Sequence, residues 1–362
     1  KRTGRKRDYV GVLSSVFAIV IGLLVGFVIL LICNPSQALP GFVTILTGAF
    51  THGLKGVGQV FYYATPIILT GLSVGFAFKT GLFNIGTPGQ FIVGAFAAVY
   101  VGIMWTGLGR IQWAVALLAA ILGGALWGMV PGVLKACFNV NEVIASIMMN
   151  YIGMYMVNWI VKSYKPLFNN LRNESRNVAA TAQIPKMGMD KLFPESSVGG
   201  GILLAVAAVL LIWVILNKTT FGYELKAVGF NRDAGRYAGI NEKRNIIMSM
   251  VIAGAIAGMA GGLLYLAGTG KHIEIKDVLA PEGFTGISVA LLGLSHPIGV
   301  LFSGLFIAYL TAGGFYLQLF EFSTEIIDII VAVIIYFSAF ALIVKTILTR
   351  MNRKREKGGG QI

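Results

Sequence analysis

Long apolar runs separated by short polar intervals set the pattern of this chain. A helix needs roughly 20 apolar residues to cross the hydrocarbon core of a bilayer. Runs of that kind lie at about 10–32, 57–78, 85–104, 112–134, 143–161, 200–217, 246–268, 297–317 and 326–345. The run at 284–294 is too short for an ordinary span. It predicts a short or re-entrant helix, tolerated only where protein surrounds it or where it lines a cavity. The pattern therefore predicts an all-α integral membrane protein with about ten transmembrane helices, the one near 284–294 being short or re-entrant.

The polar intervals supply the orientation. With the N-terminus inside, 19 bases and 6 acids fall on the cytoplasmic side, a net +13, against a net +1 outside. That asymmetry follows the positive-inside rule. An even number of crossings then places both termini in the cytoplasm, with 284–294 counted as the tenth. The domain plan is a basic N-terminal segment 1–9, a membrane domain 10–345 and a basic tail 346–362. The membrane domain carries an outer loop at about 162–199 and an inner loop at about 218–245. The outer loop is long for a simple connection, and such loops are often functional.

Composition agrees with this plan. The chain is 56% hydrophobic and 12% charged, with a mean hydropathy of +0.78, whereas soluble domains average about 25% charged. The pI near 9.8 reflects topology and attraction to anionic lipid; no nucleic-acid motif accompanies it. The first apolar run is too long for a signal peptide and lacks a small-residue cleavage site, so it predicts a retained helix. Cys33 and Cys137 fall on opposite faces and cannot pair.

Several chemistries are absent from the sequence. No phosphate-binding loop occurs; Gly268-Thr-Gly-Lys-His272 has the wrong spacing and ends in His, so the chain does not itself hydrolyse ATP. His52, His272 and His296 are scattered, without metal-ligand spacing. Glu142 and Asp328 alone approach mid-membrane, each near a helix start, where an acid is favourable. An ion-driven carrier usually needs intramembrane carboxylates, so that class is disfavoured.

Glycine marks the helix contacts. Gly124, Gly128 and Gly132 form one four-residue ladder, and Gly254, Gly258 and Gly262 another. Small residues at that spacing let membrane helices approach closely. Three places are expected to break helices: Thr65-Pro66, the stretch Thr80 to Gln90, and the stretch Gly268–Gly283 leading to Ser295-His-Pro297. Irregular backbone at membrane depth belongs where a substrate or water passes, which a mere scaffold does not require.

The charged island from Gly222 to Ile240 stands out between greasy helices. Asn231 can cap a short helix, Arg232 to Ala238, that Gly239 closes. A rigid polar helix on the inner side can dock into a soluble motor protein.

Here a resemblance enters. Gly229-Phe-Asn-Arg-Asp-Ala-Gly-Arg-Tyr-Ala-Gly-Ile240 resembles the cytoplasmic coupling loop of ABC-importer permeases of the ribose and branched-chain amino acid type. It matches that family's pattern at Gly229, Asn231, Ala234, Gly235, Gly239 and Ile240. Gly81-Leu-Phe-Asn-Ile-Gly86 with Thr87-Pro-Gly-Gln90 resembles the family's signature after the second span. Asn141-Glu-Val-Ile-Ala-Ser-Ile-Met-Met-Asn150 and the long outer loop resemble its nucleoside-importing branch. The similarity covers about 55–345.

The resemblance implies a non-catalytic permease subunit in a bacterial plasma membrane, with no cofactor and no catalytic residue of its own. Its expected partners are a second, different permease, giving a heterodimer, and a cytoplasmic ATPase, often with two fused nucleotide-binding domains, which holds ATP and Mg. An extracellular substrate-binding lipoprotein would deliver nucleoside. The ATPase contact would fall on Gly229, Asn231, Arg232, Asp233, Ala234, Gly235, Arg236, Tyr237, Gly239 and Ile240. Asn84, Gln90, Asn150 and Asn158 are candidates for a neutral solute's path, which needs hydrogen-bonding groups rather than charge. Alternatives are a monosaccharide or amino acid cargo in the same family, or an ion-coupled carrier.

Overall fold

The computed structural model describes residues 3–323 and, beyond them, 325–326, 328–330, 332–333 and 336–337. The expected last span, 326–345, is therefore described only in part, and the tail 346–362 lies outside the described residues.

The described chain is helical almost throughout. In order it runs α1 Thr3–Cys33, α2 Ala38–Thr51, α3 Gly53–Lys79, α4 Thr87–Met104, α5 Gln112–Phe138 and α6 Glu142–Ser163. An outer excursion follows, with two-residue strands β1 Phe168–Asn169 and β2 Glu174–Ser175 and the single-turn α7 Met189–Leu192. Then come α8 Gly201–Lys218, α9 Thr220–Phe230, α10 Arg232–Tyr237, α11 Glu242–Tyr265, α12 Pro281–Leu292 and α13 Pro297–Phe315. Among the described residues, α3, α4, α5, α6, α8, α11 and α13 are long and apolar enough to cross a membrane. The chain is thus a multi-pass helical membrane protein.

Three differences from the sequence expectation have physical reasons. First, α2 occupies part of the interval between the first two expected spans. Its 14 residues reach about 21 Å at 1.5 Å per residue, short of the roughly 30 Å core, so its apolar run falls below span length. Second, α3 does not break at Thr65-Pro66 but runs through Pro66. It is the most enclosed of the crossing helices, and Thr70 Oγ1 donates to Pro66 O at 3.0 Å one turn further on. Third, the outer excursion is not free coil. Its β1–β2 hairpin is extended by Ile273 and Ile275 of the 266–280 loop: Ser175 N donates to Ile273 O at 2.9 Å and Ile275 N to Asn173 O at 3.1 Å. Lys276 lies 2.9 Å from Glu274 in the same loop and holds that carboxyl below its usual range.

The core is a three-helix seam. The ladder of α5 lies against the ladder of α11. A Cβ on Gly124 would strike Gly254 O and come within 2.7 Å of Gly258 Cα. One on Gly128 would lie 2.5 Å from Met250 O, and one on Gly132 3.0 Å from Met250 Cβ. Gly258 approaches Gly124 Cα, and Gly262 approaches the Cβ of Ala120 at 2.7 Å. α4 closes on the same seam, where Gly94 meets Gly258 and Gly261 meets Phe91 O. Apart from Met250 Cβ and Ala120 Cβ, the atoms met are backbone, and such close approach is how membrane helices gain dispersion energy without a hydrophobic drive.

α12 begins beside the start of α4, since a Cβ on Gly283 would lie 2.6 Å from Pro88 Cα. It then runs along α3, with Gly286 against Thr70. At about 18 Å it is too short to cross alone; Gly283, Gly286, Ser288, Val289, Ala290 and Leu292 are buried, while Phe284 is exposed.

Candidate functional site

The charged island folds as two helices set at an angle. Thr219 caps α9, accepting from Gly222 N at 3.0 Å. Asn231 caps α10, accepting from Ala234 N at 3.0 Å. The α10 helix ends at Tyr237. Gly239 then turns the chain at φ +78°, and Ile240 N donates to Gly235 O at 3.0 Å. This is the glycine-closed helix end that a left-handed residue allows. Asn241 starts α11 in the same way, accepting from Arg244 N at 3.0 Å. Three short polar caps thus set the shape of the whole unit, each typically contributing about 1 kcal/mol.

Gly235 is buried against Val228, joining α10 to α9. Asn231, Asp233, Ala234, Arg236 and Gly239 are exposed, and Arg232 and Ile240 are half-buried. Two aromatic rings project fully: Phe230 is 90% exposed and Tyr237 94%. Phe230 is the unspecified position of the glycine–x–asparagine pattern, and sequence reasoning passed over it.

The unit is seated on the bundle by the buried Leu225 and Val228, by Gly222 against Ile215 and Leu216 of α8, and by a close approach at Gly229. A Cβ on Gly229 would lie 2.5 Å from the carbonyl carbon of Thr80, and one on Gly81 would lie 2.5 Å from Gly229 Cα. Gly81 sits at φ +76°. The two glycine-bearing motifs, about 150 residues apart in sequence, therefore meet backbone to backbone. Thr80 Oγ1 also bonds Ser249 Oγ of α11. Asn245 of α11 donates to Glu224 of α9 at 3.3 Å.

Above that contact the turn from α3 to α4 is held by a buried polar network. Asn84 Nδ2 donates to Gln90 Oε1 at 2.9 Å, and Gln90 Nε2 donates back to Asn84 Oδ1 at 3.0 Å. Asn84 Oδ1 also accepts from Gly86 N at 3.2 Å. Ser73 joins the network from α3, lying 3.4 Å from Asn84 Nδ2 and donating to Ala253 O of α11 at 2.7 Å. On the other flank Asn150 of α6 clamps the turn, accepting from Gly89 N at 2.9 Å and donating to Ile85 O at 3.0 Å. Asn84, Gln90 and Asn150 are all buried, and the side chains bring α3, α4, α6 and α11 to one point. Ser146 Oγ, one turn before Asn150, is buried with no hydrogen-bond partner among the described residues. Asn158 stands apart from this group. It is half-buried near the other end of α6, with Nδ2 donating to Lys276 O at 3.0 Å.

Lys135 at the end of α5 pairs with Glu142 at the start of α6 at 2.8 Å. That pair, the Thr80–Gly81 turn and the Glu224–Asn245 contact belong to the end of the bundle that the charge count assigns to the cytoplasm. Among the described residues no group of His, Cys, Asp and Glu could hold a metal ion.

A multi-pass helical bundle whose one polar outrigger bears on a buried turn has the layout of a membrane transport subunit worked from outside. The family comparison agrees: residues 56–339 match the model described as branched-chain amino acid transport system / permease component. The chain belongs to that family. It is 38% identical to the guanosine ABC transporter permease protein NupP of Bacillus subtilis, over 94% of this chain and 97% of that one. It is 34% identical to the nucleoside ABC transporter permease protein NupB of Lactococcus lactis, over 94% and 93%. B. subtilis also has NupQ, a second guanosine ABC transporter permease protein, which is 28% identical over 68% of this chain and 77% of its own length. No solved structure matches the chain.

Proposed function

We infer that this chain is one of two different permease subunits of an ATP-driven nucleoside importer in a bacterial plasma membrane. The α9–α10 unit is the handle gripped by a cytoplasmic ATPase, which binds ATP and Mg, and an extracellular lipoprotein delivers the solute. The observation that carries this reading is the Gly229–Gly81 contact. It couples a projecting polar helix to the one buried turn that touches α3, α4, α6 and α11. Motion of α10 would reach α9 through the Asn231 junction and the Gly235–Val228 contact, and that turn through the Gly229–Gly81 backbone contact. The relatives supply the cargo and the pairing: guanosine and nucleoside permeases are the most similar proteins named above, and one of them shares its organism with a second permease.

Phe230 and Tyr237 are the anchors that a cleft on the ATPase would take, since exposed aromatics supply much of the energy of protein contacts. The same reading gives Asn84, Gln90 and Asn150 a holding part, because their polar atoms are engaged inside the protein. Solute passes between the two permeases as the access alternates.

Uptake of radiolabelled guanosine and uridine tests the reading, in cells lacking the gene and with it returned, competed by ribose and leucine. Restored uptake blocked by nucleosides alone is expected. Restored uptake of ribose or leucine instead would keep the permease role and overturn the cargo.

A further inference from the structure

The α6 helix has two unlike sides. One packs on α4 and α5 through Ser146, Asn150 and Gly153. The other carries Ile144, Met148, Tyr151, Tyr155 and Trp159 at steps of three or four, which places them on one helix face. None is covered by the described chain: Tyr151 is 47% exposed, Tyr155 53% and Trp159 70%.

Depth separates these aromatics. At 1.5 Å per residue α6 is about 33 Å long, and Tyr151 and Tyr155 lie about 14 and 20 Å from its start, in the middle third. Trp159 sits near the far end, where an indole suits the membrane surface. The two tyrosines have no such explanation. A phenol hydroxyl at mid-depth that faced lipid would have no hydrogen-bond partner, and neither hydroxyl has one among the described residues. The outward faces of α1, α5 and α8 differ. Among the described residues their exposed large apolar side chains carry no hydroxyl: most are aliphatic, as at Leu24, Leu118, Leu122, Leu126, Leu210 and Leu211, and others are phenylalanine, as at Phe17 and Phe138. Those faces suit lipid, and the α6 face suits a wet or protein-covered surface.

We propose that the Tyr151–Tyr155 face of α6 lies toward the second permease and lines the watered solute route between the two subunits. Its phenol rings stack on the flat heterocycle of a nucleoside, and its hydroxyls bond the heteroatoms of the base or sugar. The identity of the solute rests on the nucleoside-importer reading; the exposure of this face to water does not. A nucleobase offers a π-face and a rim of neutral donors and acceptors, which paired tyrosines one turn apart can match. The second permease is the occupant because the route must be closed on its far side, and α6 packs its other side on its own bundle.

Thiol labelling in the assembled transporter tests this. Cys33 and Cys137 are both exposed free thiols, so both are first replaced by serine. Tyr151→Cys and Tyr155→Cys are then compared with Leu122→Cys and Leu211→Cys, using a membrane-impermeant methanethiosulfonate. Only a thiolate reacts, and an apolar setting suppresses it. Reaction at least about tenfold faster at 151 and 155, slowed by guanosine, is the expected result. Reaction as slow as at Leu122 overturns the proposal, and so does fast reaction that a transported solute leaves unchanged. Uptake by the unsubstituted complex is measured alongside. If it carries another solute, the nucleoside reading falls, and protection is then read with the solute it carries.

Discussion

The α5–α11 seam and the α9–α10 handle both rest on glycine, yet they are built to opposite ends. In the seam glycines recur over about two turns of each helix, and α4 locks the pair from a third side. In the handle α9 is seated on the bundle by Leu225, Val228, a close glycine pair and a few polar bonds, while most of α10 is open. A contact repeated along a helix holds, whereas a close contact at the root of a projecting helix can transmit a push.

The sharpest break falls on the seam. Gly124→Leu places a side chain where Gly254 O and Gly258 Cα already stand, an overpacking with an expected cost of about 3 kcal/mol. The protein should be lost from the membrane or melt early, read by fluorescence-detected size exclusion after heating. Recovery of a stable, active protein would mean that α5 and α11 part easily, and the contrast would fail.

Next comes the root of the handle. Gly229→Val collides with Thr80 and Gly81. Uptake should fall more than about tenfold while the complex still assembles, because the handle is held elsewhere by the Glu224–Asn245 bond and by its own caps. Loss of assembly together with uptake would place Gly229 with the holding glycines instead.

A smaller effect is expected from the tip. Phe230→Ala with Tyr237→Ala should weaken ATPase binding by about 2 kcal/mol, roughly thirtyfold, with the melting temperature of the isolated permease unchanged. Pull-down of the ATPase and thermal melting separate the two readouts.

The turn between them gives a graded test. Asn84→Ala leaves Gln90 and Gly86 N without a buried partner, at a cost of about 1–3 kcal/mol. Transport and stability should fall together, as they would for a holding part. A loss of uptake with unchanged stability would return Asn84 to the solute path.

The smallest effect is expected outside. Lys55 and Glu195 approach to 3.4 Å with both side chains largely exposed; Lys55→Ala should change stability by less than about 1 kcal/mol.

Local chemistry was the legible part of this chain. Asn231 followed by a short polar run and Gly239 specifies a capped, closed helix within ten residues, and α10 forms there. The two glycine ladders could be read because their spacing repeats every fourth residue. What the ladders face could not be read, since small residues mark that something comes close but not what. The meeting of Gly229 with Gly81, and of the outer hairpin with Ile273, depends on distant segments and leaves no local pattern. The α2 helix escaped notice because its apolar run is broken by Pro40, Gly41 and Gly48. Asn84, Gln90 and Asn150 could be read as polar groups in a greasy setting, but one sequence does not say that they bond to each other.

The order in which the chain is made adds a consequence to the seam. Gly124 and Gly254 are 130 residues apart, so α5 enters the bilayer long before α11 has been synthesised. Throughout that interval α5 has α4 beside it but lacks the α11 backbone that its ladder packs on, and nascent helices of this kind are open to wrong pairing. The seam can therefore close only after α11 has been made. A ribosome that stalls after α10 would leave a membrane-inserted fragment with an unfilled groove, a substrate for the membrane proteases that clear unfinished chains.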